Sequence, residues 1–398
     1  MASNWIRSPG RSRLEPEADT GAAAGMPSEQ PQPLLLAAPL SLSGRYTLQG
    51  RLAAAGIEQV VEDVVGLGGL AVGGRRLMPV GAILDDESTR DGLRRALEGL
   101  KGAHGLLGPY GSDLAREAAR WAAERGLVLW NHGATADAVQ RLPGVLSVAS
   151  SASRYAASVL EALAEELPGA RVLLAVAPGS FGKSIAEGAR EAAERLGMRI
   201  QGTVAHAEVP EAPDTDVLIA AGSYRDDVEL VARLRARLPA VAAVAAAMGL
   251  FGAELGARAE GVLAPSQWEE GTRFRPNLGP SPLDVVRSLR ARIIAALQLH
   301  LPGGLVDYPA AQAYATGLLA MGCIQLAGTL EEKAVLEAAR GLRCTTFFGR
   351  FGLGEDGRQV DHELLVIQRT ARVCRSRVST HSPAWTLDPC RLICVRIS

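Results

Sequence analysis

From residue 33 onwards the chain alternates short apolar runs with stretches of helical periodicity, and this alternation limits the possible folds more than any other feature. The first runs are LLLAAPL (34–40), LMPVGAIL (77–84), HGLLG (104–108) and LVLWN (127–131), with helical patterns near 49–65, 89–100 and 112–125 between and before them. In the last pattern Leu114, Ala118, Trp121 and Ala122 fall at i, i+4, i+7 and i+8, a single apolar face. Strands separated by helices predict a parallel sheet with helices packed on it.

A Ser-rich stretch, VLSVASSASR (145–154), interrupts the rhythm, which then restarts. RVLLAVA (171–177), IQGTVA (200–205), DVLIAAG (216–222), AVAAVAAA (240–247) and GVLAP (261–265) read as strands, with helices over 183–197 and 225–237. Further helices are expected near 282–299, 309–325 and 331–342, and residues 345–368 read as a hairpin around Gly-Glu-Asp-Gly. Two successive α/β halves predict two lobes with a cleft between them. The expected division is 33–150 plus 269–342 for the first lobe and 151–266 plus 345–368 for the second.

The two ends differ from this body. Residues 1–32 are polar and rich in Pro and Gly, a composition that reads as a disordered leader. The leader lacks an apolar signal-peptide core and 34–40 is too short for one, so the sequence as given predicts no export signal. Residues 369–398 carry six Arg, three Cys and one acid without period, and are set aside as an atypical, unstructured tail.

Charge narrows the function classes. With 42 basic and 43 acidic residues interspersed along 398, the chain has no basic stripe for a phosphate backbone, so nucleic acid is not an expected partner. No apolar run reaches the length of a membrane span, and no direct membrane insertion is expected. The five cysteines and six histidines show no ligand spacing, so neither a metal nor another cofactor is expected. No nucleophile elbow appears either, and no enzymatic reaction is expected. Asp85 and Asp86, at a strand end, read as turn-capping acids.

The candidate site lies in two consecutive strand–turn–helix passages, LLGPYGSDLAREAA (106–119) and LVLWNHGATADAV (127–139). Ligands of open parallel sheets bind beyond the carboxyl ends of the strands. Ser112 stands where one helix begins, and Ala134 and Thr135 stand before the next. Helix-start amides lack intrahelical partners and carry partial positive charge, so two such termini with two hydroxyls would hold a carboxylate. The competing reading makes Ser112 and Thr135 ordinary helix caps. Tyr110, in the first turn, and His132, in the second, complete this group; His132 either reads the ligand or fixes its loop.

In order and spacing, several stretches over 34–368 resemble the periplasmic binding proteins typified by the leucine/isoleucine/valine-binding proteins of ABC transporters. They are PLSLSGRYTLQG (39–50), GAILDDESTRDG (81–92), GLLGPYGSDLA (105–115), NHGATADAV (131–139), APGSFGKSIAEGAREAAERLG (177–197), AEGVLAPSQW (259–268), QAYATGLL (312–319) and TTFFGRF (345–351). The resemblance implies an α/β, two-lobed type I fold, capture of a small amino acid, carboxylate or amide by lobe closure, an ABC permease as partner, and a periplasmic location. It also implies that Ser112, Ala134 and Thr135 hold the ligand's α-carboxylate and that Tyr46 and Gln49 cover it. Phe181 and Tyr224 would face the cleft from the second lobe, and Tyr308 would cap it. One departure stands out: amino-acid binders of the family carry an acid in the loop after the strand matching AVAAVAAAMGLF (240–251), and none is present here. Asp226 or Glu269 would then meet an ammonium group, or the ligand has none.

Two alternatives remain at this level. A chain of this fold without an export signal would serve as a cytosolic small-molecule sensor. The run LLAVAPGSFGKSIAEG (173–188) also approaches a P-loop, with Lys183 on phosphate and Ser184 on magnesium, but Ala177 replaces its first Gly.

Overall fold

The computed structural model describes residues 30–297 and 306–370; the rest of the expected leader and tail lies outside the described residues. The first of two six-stranded sheets contains β1 (Gln32–Leu40), β2 (Leu70–Val72), β3 (Arg75–Asp85), β4 (Gly105–Leu107), β5 (Leu129–Asn131) and β6 (Val145–Ser147). Their order is β2-β3-β1-β4-β5-β6, parallel except for the β2–β3 pair. The second sheet contains β7 (Arg171–Val176), β8 (Arg199–Val204), β9 (Val217–Ala221), β10 (Ala240–Ala243) and β11 (Leu263–Ser266). After a short antiparallel pair, β12 (Cys344–Thr345) with β13 (Arg350–Phe351), the strand β14 (Leu365–Gln368) completes that sheet. Its order is β14-β11-β10-β9-β7-β8, with only β14 antiparallel.

Helices α1 (Thr47–Gly66), α2 (Arg90–Gly99), α3 (Ser112–Ala123) and α4 (Asp137–Gln140) follow strands of the first sheet. Helices α5 (Ser153–Leu163), α6 (Ser180–Leu196), α7 (Tyr224–Leu234) and α8 (Gly249–Leu255) accompany the second, and α9 (Pro282–Leu297), α10 (Tyr308–Ala327) and α11 (Glu332–Gly341) come after it. The α/β architecture expected from the alternation is present, with mostly parallel sheets flanked by helices.

Burial explains the pattern. β1 is central in its sheet, and every residue from Leu34 to Leu40 except Leu35 is buried, as expected of a strand covered on both faces. α10 carries no charged residue and is buried from Tyr308 to Ile324. It lies close against α1 because both supply glycines at the crossing: a side chain at Gly56 would strike the Ala310 carbonyl, and one at Gly317 would strike Val60. Phe347 meets Tyr314 edge-on at 5.3 Å and Trp268 at 6.0 Å, which fixes the TTFFGRF segment on α10. In α3, Leu114, Ala118 and Ala122 are buried as the periodicity predicts, while Trp121 is only partly covered and carries the Arg125 guanidinium over its ring at 4.2 Å.

Three local expectations are corrected. The run AVAAVAAA is a strand only to Ala243; residues 244–247 turn into a short 3-10 helix, as alanine has little preference for a strand. The turn around Gly354–Gly357 does form, with Leu353 bridging Gln359, but β14 pairs with β11 rather than folding back as a hairpin arm. Arg369 belongs to the ordered body: its N–H donates to the Val262 carbonyl and its own carbonyl accepts from Gly261 N–H. Among the described residues, no single helix is long and apolar enough to cross a membrane.

Candidate ligand-binding site

The carboxyl ends of the two sheets face each other, and their loops touch. Ser180 Oγ, in the first turn of α6, donates to Asp113 Oδ1 on α3 at 2.8 Å. Asp137 N–H donates to Ser184 Oγ at 3.1 Å, and Arg45 pairs with Asp226 at 3.6 Å. Gln49 Nε2 lies 3.7 Å from Met248 Sδ, and Gly249 N–H donates to Asp307 Oδ1 at 2.8 Å. These bonds join loops of the first sheet, and the start of α10, to loops of the second. The structure is therefore closed across the cleft.

Asp85 and Asp86 cap the turns at the ends of β1 and β3, as the sequence suggests. Asp85 accepts from the backbone of Leu42, Ser43 and Glu87 and from the Ser43 hydroxyl; its own burial works against the charge, but these donors hold its carboxyl below the usual range. Asp86 Oδ1 takes the Ser41 hydroxyl and Ser88 N–H, tying the β1 loop to the β3 loop.

The two hydroxyl-bearing passages meet, but their bonding differs from the sequence expectation. The cap position of α3 belongs to Gly111, at φ +100, and Ser112 is already the first helical residue. Ser112 Oγ accepts from Ala136 N–H at 3.1 Å, which ties the two passages together and leaves the hydroxyl proton to donate. The Ala134 N–H is not left for a ligand: it donates to Asn131 Oδ1 at 2.8 Å, while Asn131 Nδ2 donates to the Ala134 carbonyl and to Ser147 Oγ. α4 is a single turn, so the second helix terminus is too short to carry a useful dipole. Thr135 is buried, and its side chain lies near enough to Tyr155 to act on the phenol.

Aromatic rings cluster beside these two passages. The Tyr46 and Tyr110 rings lie 5.8 Å apart, and Tyr110 lies 6.4 Å from the His132 imidazole. The Tyr110 and Tyr308 hydroxyls stand 3.3 Å apart, and Tyr155 meets Phe181 edge-on at 5.9 Å. Tyr110 packs directly on Gly133, where a side chain would collide with its ring. Burial raises the pKa of each of these tyrosines, so the hydroxyls are neutral donors. Burial likewise pushes His132 down to about 4, and neither ring nitrogen finds a partner among the described residues.

The remaining expected residues spread over the second sheet's side. Asp226 is engaged in a capping box with Ser223 and in the Arg45 pair. Tyr224 lies beside it, but its sealed hydroxyl faces Glu254 and Asp307 rather than the tyrosine group. Glu269 has a sealed Oε1 with no partner among the described residues, and burial lifts its carboxyl to about 7. The P-loop-like turn holds no open cradle: Ser184 Oγ is engaged by Asp137 N–H, Lys183 points to Glu187, and the Asp113 carboxylate lies against Gly179.

Sequence reading missed four residues here. Tyr155 comes from the first turn of α5, in a stretch whose sequence reads only as a Ser-rich crossing, and its hydroxyl accepts from Gln267 Nε2 at 2.8 Å. Gln267 also bonds both backbone groups of Ser150, locking two crossings together. Met248 stands against Gln49, and Asp307 reaches the loop after β10. Only Asp307 left a signal, as an acid immediately before an aromatic and a Pro at a helix start.

Comparison with known proteins agrees with this architecture. A family model described as "Periplasmic binding protein" matches residues 36–372. No curated protein matches the sequence. Among solved structures, a solute-binding protein of an ABC transporter from R. palustris, in complex with 4-hydroxybenzoate, superposes with a TM-score of 0.72 at 15% identity, over 85% of this chain and 93% of that one. The leucine-binding protein LivK of Thermotoga maritima gives 0.68 at 15% identity, over 84% and 95%. The branched-chain amino acid binding protein LivJ of Streptococcus pneumoniae, in complex with isoleucine, gives 0.69 at 16% identity, over 85% and 97%.

Proposed function

The chain belongs to the periplasmic binding protein family, with the type I, leucine/isoleucine/valine-binding-protein-like fold, and from that premise we propose that it is the solute-binding component of an ABC-type uptake system. It captures a small polar carboxylate or amino-acid-like compound and performs no chemistry on it. One observation carries this reading: Ser112, Thr135, Tyr110, Tyr155 and Tyr308 bring neutral hydroxyls together where the carboxyl ends of two parallel sheets meet. A carboxylate accepts several hydrogen bonds, and donors sealed from water bind it more strongly than exposed ones. The rings of Tyr46, Tyr110, Tyr155 and Phe181 provide the apolar wall such ligands need.

The expected lobes, 33–150 with 269–342 and 151–266 with 345–368, move as bodies in this reading. Solute binding favours the closed arrangement by the contacts it makes in that state alone. The working compartment is the periplasm and the partner an ABC permease. The structural neighbours named with 4-hydroxybenzoate and isoleucine support a carboxylate as the shared ligand feature.

The test is a thermal-shift screen of amino acids, aliphatic acids, hydroxybenzoates, amides and nucleotides. A compound that binds only the folded state raises the melting temperature. The reading expects a shift with carboxylates that disappears in the Ser112→Ala/Thr135→Ala double variant. A shift with amides or nucleotides alone would overturn it.

A further inference from the structure

Two acids stand side by side in SYRDDVEL (223–230), and the start of α7 turns them in different directions. Asp226 is half-exposed, caps the helix and pairs with Arg45. Asp227 is 0% exposed, and three donors close on its carboxylate. Oδ1 meets Gly222 N–H, just past β9, at 2.8 Å and His206 Nε2, just past β8, at 2.8 Å. Oδ2 accepts from Ala245 N–H, just past β10, at 3.0 Å. A carboxylate only accepts, so the imidazole presents Nε2–H to it. One buried side chain therefore gathers the loops leaving three strands of the second sheet, although β7 stands between β8 and β9.

Local structure explains why these donors need an acceptor. Ala245 lies in the first turn of the 3-10 helix over 244–247, and the leading amides of a helix have no intrahelical acceptor. The His206 imidazole packs against Gly222, where a side chain would come within 2.6 Å of the ring. Buried donors left unpaired are costly, so the three loops are drawn to one point. That point lies between the places where the second sheet's loops touch the first. Asp226, the preceding residue, meets Arg45. Met248 and Gly249, shortly after Ala245, meet Gln49 and Asp307.

We propose that Asp227, oriented by His206, is the positioning residue of the second sheet's cleft loops. It sets the β9 and β10 loops at the spacing in which both reach the first sheet's side at once, and so governs how long a captured solute is held. Being fully buried, it acts through these loops and not on the solute. This rests on the capture reading above and adds to it the group that sets residence time. Tyr110, Ser112 and Thr135 belong to loops of the first sheet, so they can meet a solute before the second sheet's loops close on it.

The test compares wild type with Asp227→Asn, His206→Phe and His206→Gln, with 4-hydroxybenzoate and L-isoleucine as probes. Phenylalanine keeps a ring against Gly222 and deletes the donor, while glutamine carries an N–H of similar reach. In stopped flow, Asp227→Asn and His206→Phe should release a bound probe about five- to tenfold faster, the worth of one hydrogen bond. Association should change by less than about twofold. His206→Gln should restore slow release. Without any probe, hydrogen exchange in peptides covering 221–223 and 244–247 should speed up about tenfold in the first two variants and stay unchanged in the first sheet. A bound probe released at the wild-type rate by both variants overturns the inference and leaves capture standing. Exchange that rises equally in both sheets reduces Asp227 to a stabiliser of the whole fold and overturns it as well. If neither probe binds wild type, the exchange measurement decides alone: unchanged protection at Gly222 and Ala245 overturns the inference.

Discussion

The hydroxyls of Tyr110 and Tyr308, 198 positions apart in sequence, stand 3.3 Å from each other where the β4 loop meets the start of α10. Either can donate to the other, so the pair always keeps one hydroxyl proton free for a third group. Two phenols sharing a bond in a sealed space form a small adaptable donor, suited to a solute oxygen.

Removing one member tests that arrangement. Tyr308→Phe keeps the ring and its packing but deletes the oxygen, and Tyr110→Phe does the same from the other side. Each should weaken binding of the solute found by thermal shift by about five- to tenfold, the worth of one neutral hydrogen bond of about 1 kcal/mol. The double variant should lose less than the sum, because the hydroxyls act as a unit. Additive losses by calorimetry would mean that the two hydroxyls bind separately or not at all.

Closure rests on a different set of bonds. Asp113 and Ser180 meet at 2.8 Å between α3 and the first turn of α6. The contact exists only when the loops are together, so it adds to the lifetime of the closed state rather than to the encounter. Ser180→Ala should speed solute release by roughly two- to fivefold, with little change in association, since an exposed bond of this type is worth under about 1 kcal/mol. Stopped-flow traces showing the loss in the association rate instead would contradict this role.

Much of this architecture is legible in the sequence, and the failures have physical causes. The alternation of strand and helix fixed neighbours that are near in the chain, such as β4, α3 and β5. The same periodicity says nothing about partners chosen at long range: residues 345–368 read as a hairpin, yet β14 pairs with β11, about 100 residues away. At the site, Ser112 reads as a cap or an anion donor in the sequence; the structure makes it a strap to Ala136. The Ala134 amide reads as free because nothing in NHGATADAV shows that Asn131 folds back on it. Nothing near Asp307 in the chain shows its bond to the N–H of Gly249, 58 positions earlier.

Packing at the α1–α10 crossing gives a stability prediction independent of any ligand. Gly56 faces the Ala310 carbonyl with no room for a side chain. Both helices are well packed there, so relief would require their axes to separate. Gly56→Val should lower stability by about 2–3 kcal/mol or prevent folding, whereas Gly66→Ala, at a position with nothing within 4 Å, should be neutral or mildly stabilising. Equal denaturation midpoints for the two variants would show that the crossing is looser than described.

His132 offers the sharpest pH test. Its ring is fully buried between Gly108 and Tyr110, and burial holds its pKa near 4, well below the ordinary value of 6.5. The unfolded chain therefore takes up a proton near pH 6.5 that the folded protein refuses until about pH 4. Stability contributed by the neutral ring is complete above 6.5 and is lost as pH falls through that window, by up to about 3 kcal/mol. Asp307 and Glu269 act in the opposite direction, because their folded pKa values are raised, to about 6 and about 7. The comparison must therefore be between wild type and His132→Leu, in which those carboxylates cancel. His132→Leu should be at least as stable as wild type at pH 7.5, since two unpartnered nitrogens are removed. Below pH 6 it should fall off more slowly. If His132 also contacts the solute, the same variant loses affinity at pH 7.5 without losing stability; unchanged affinity would assign the imidazole to the loop alone.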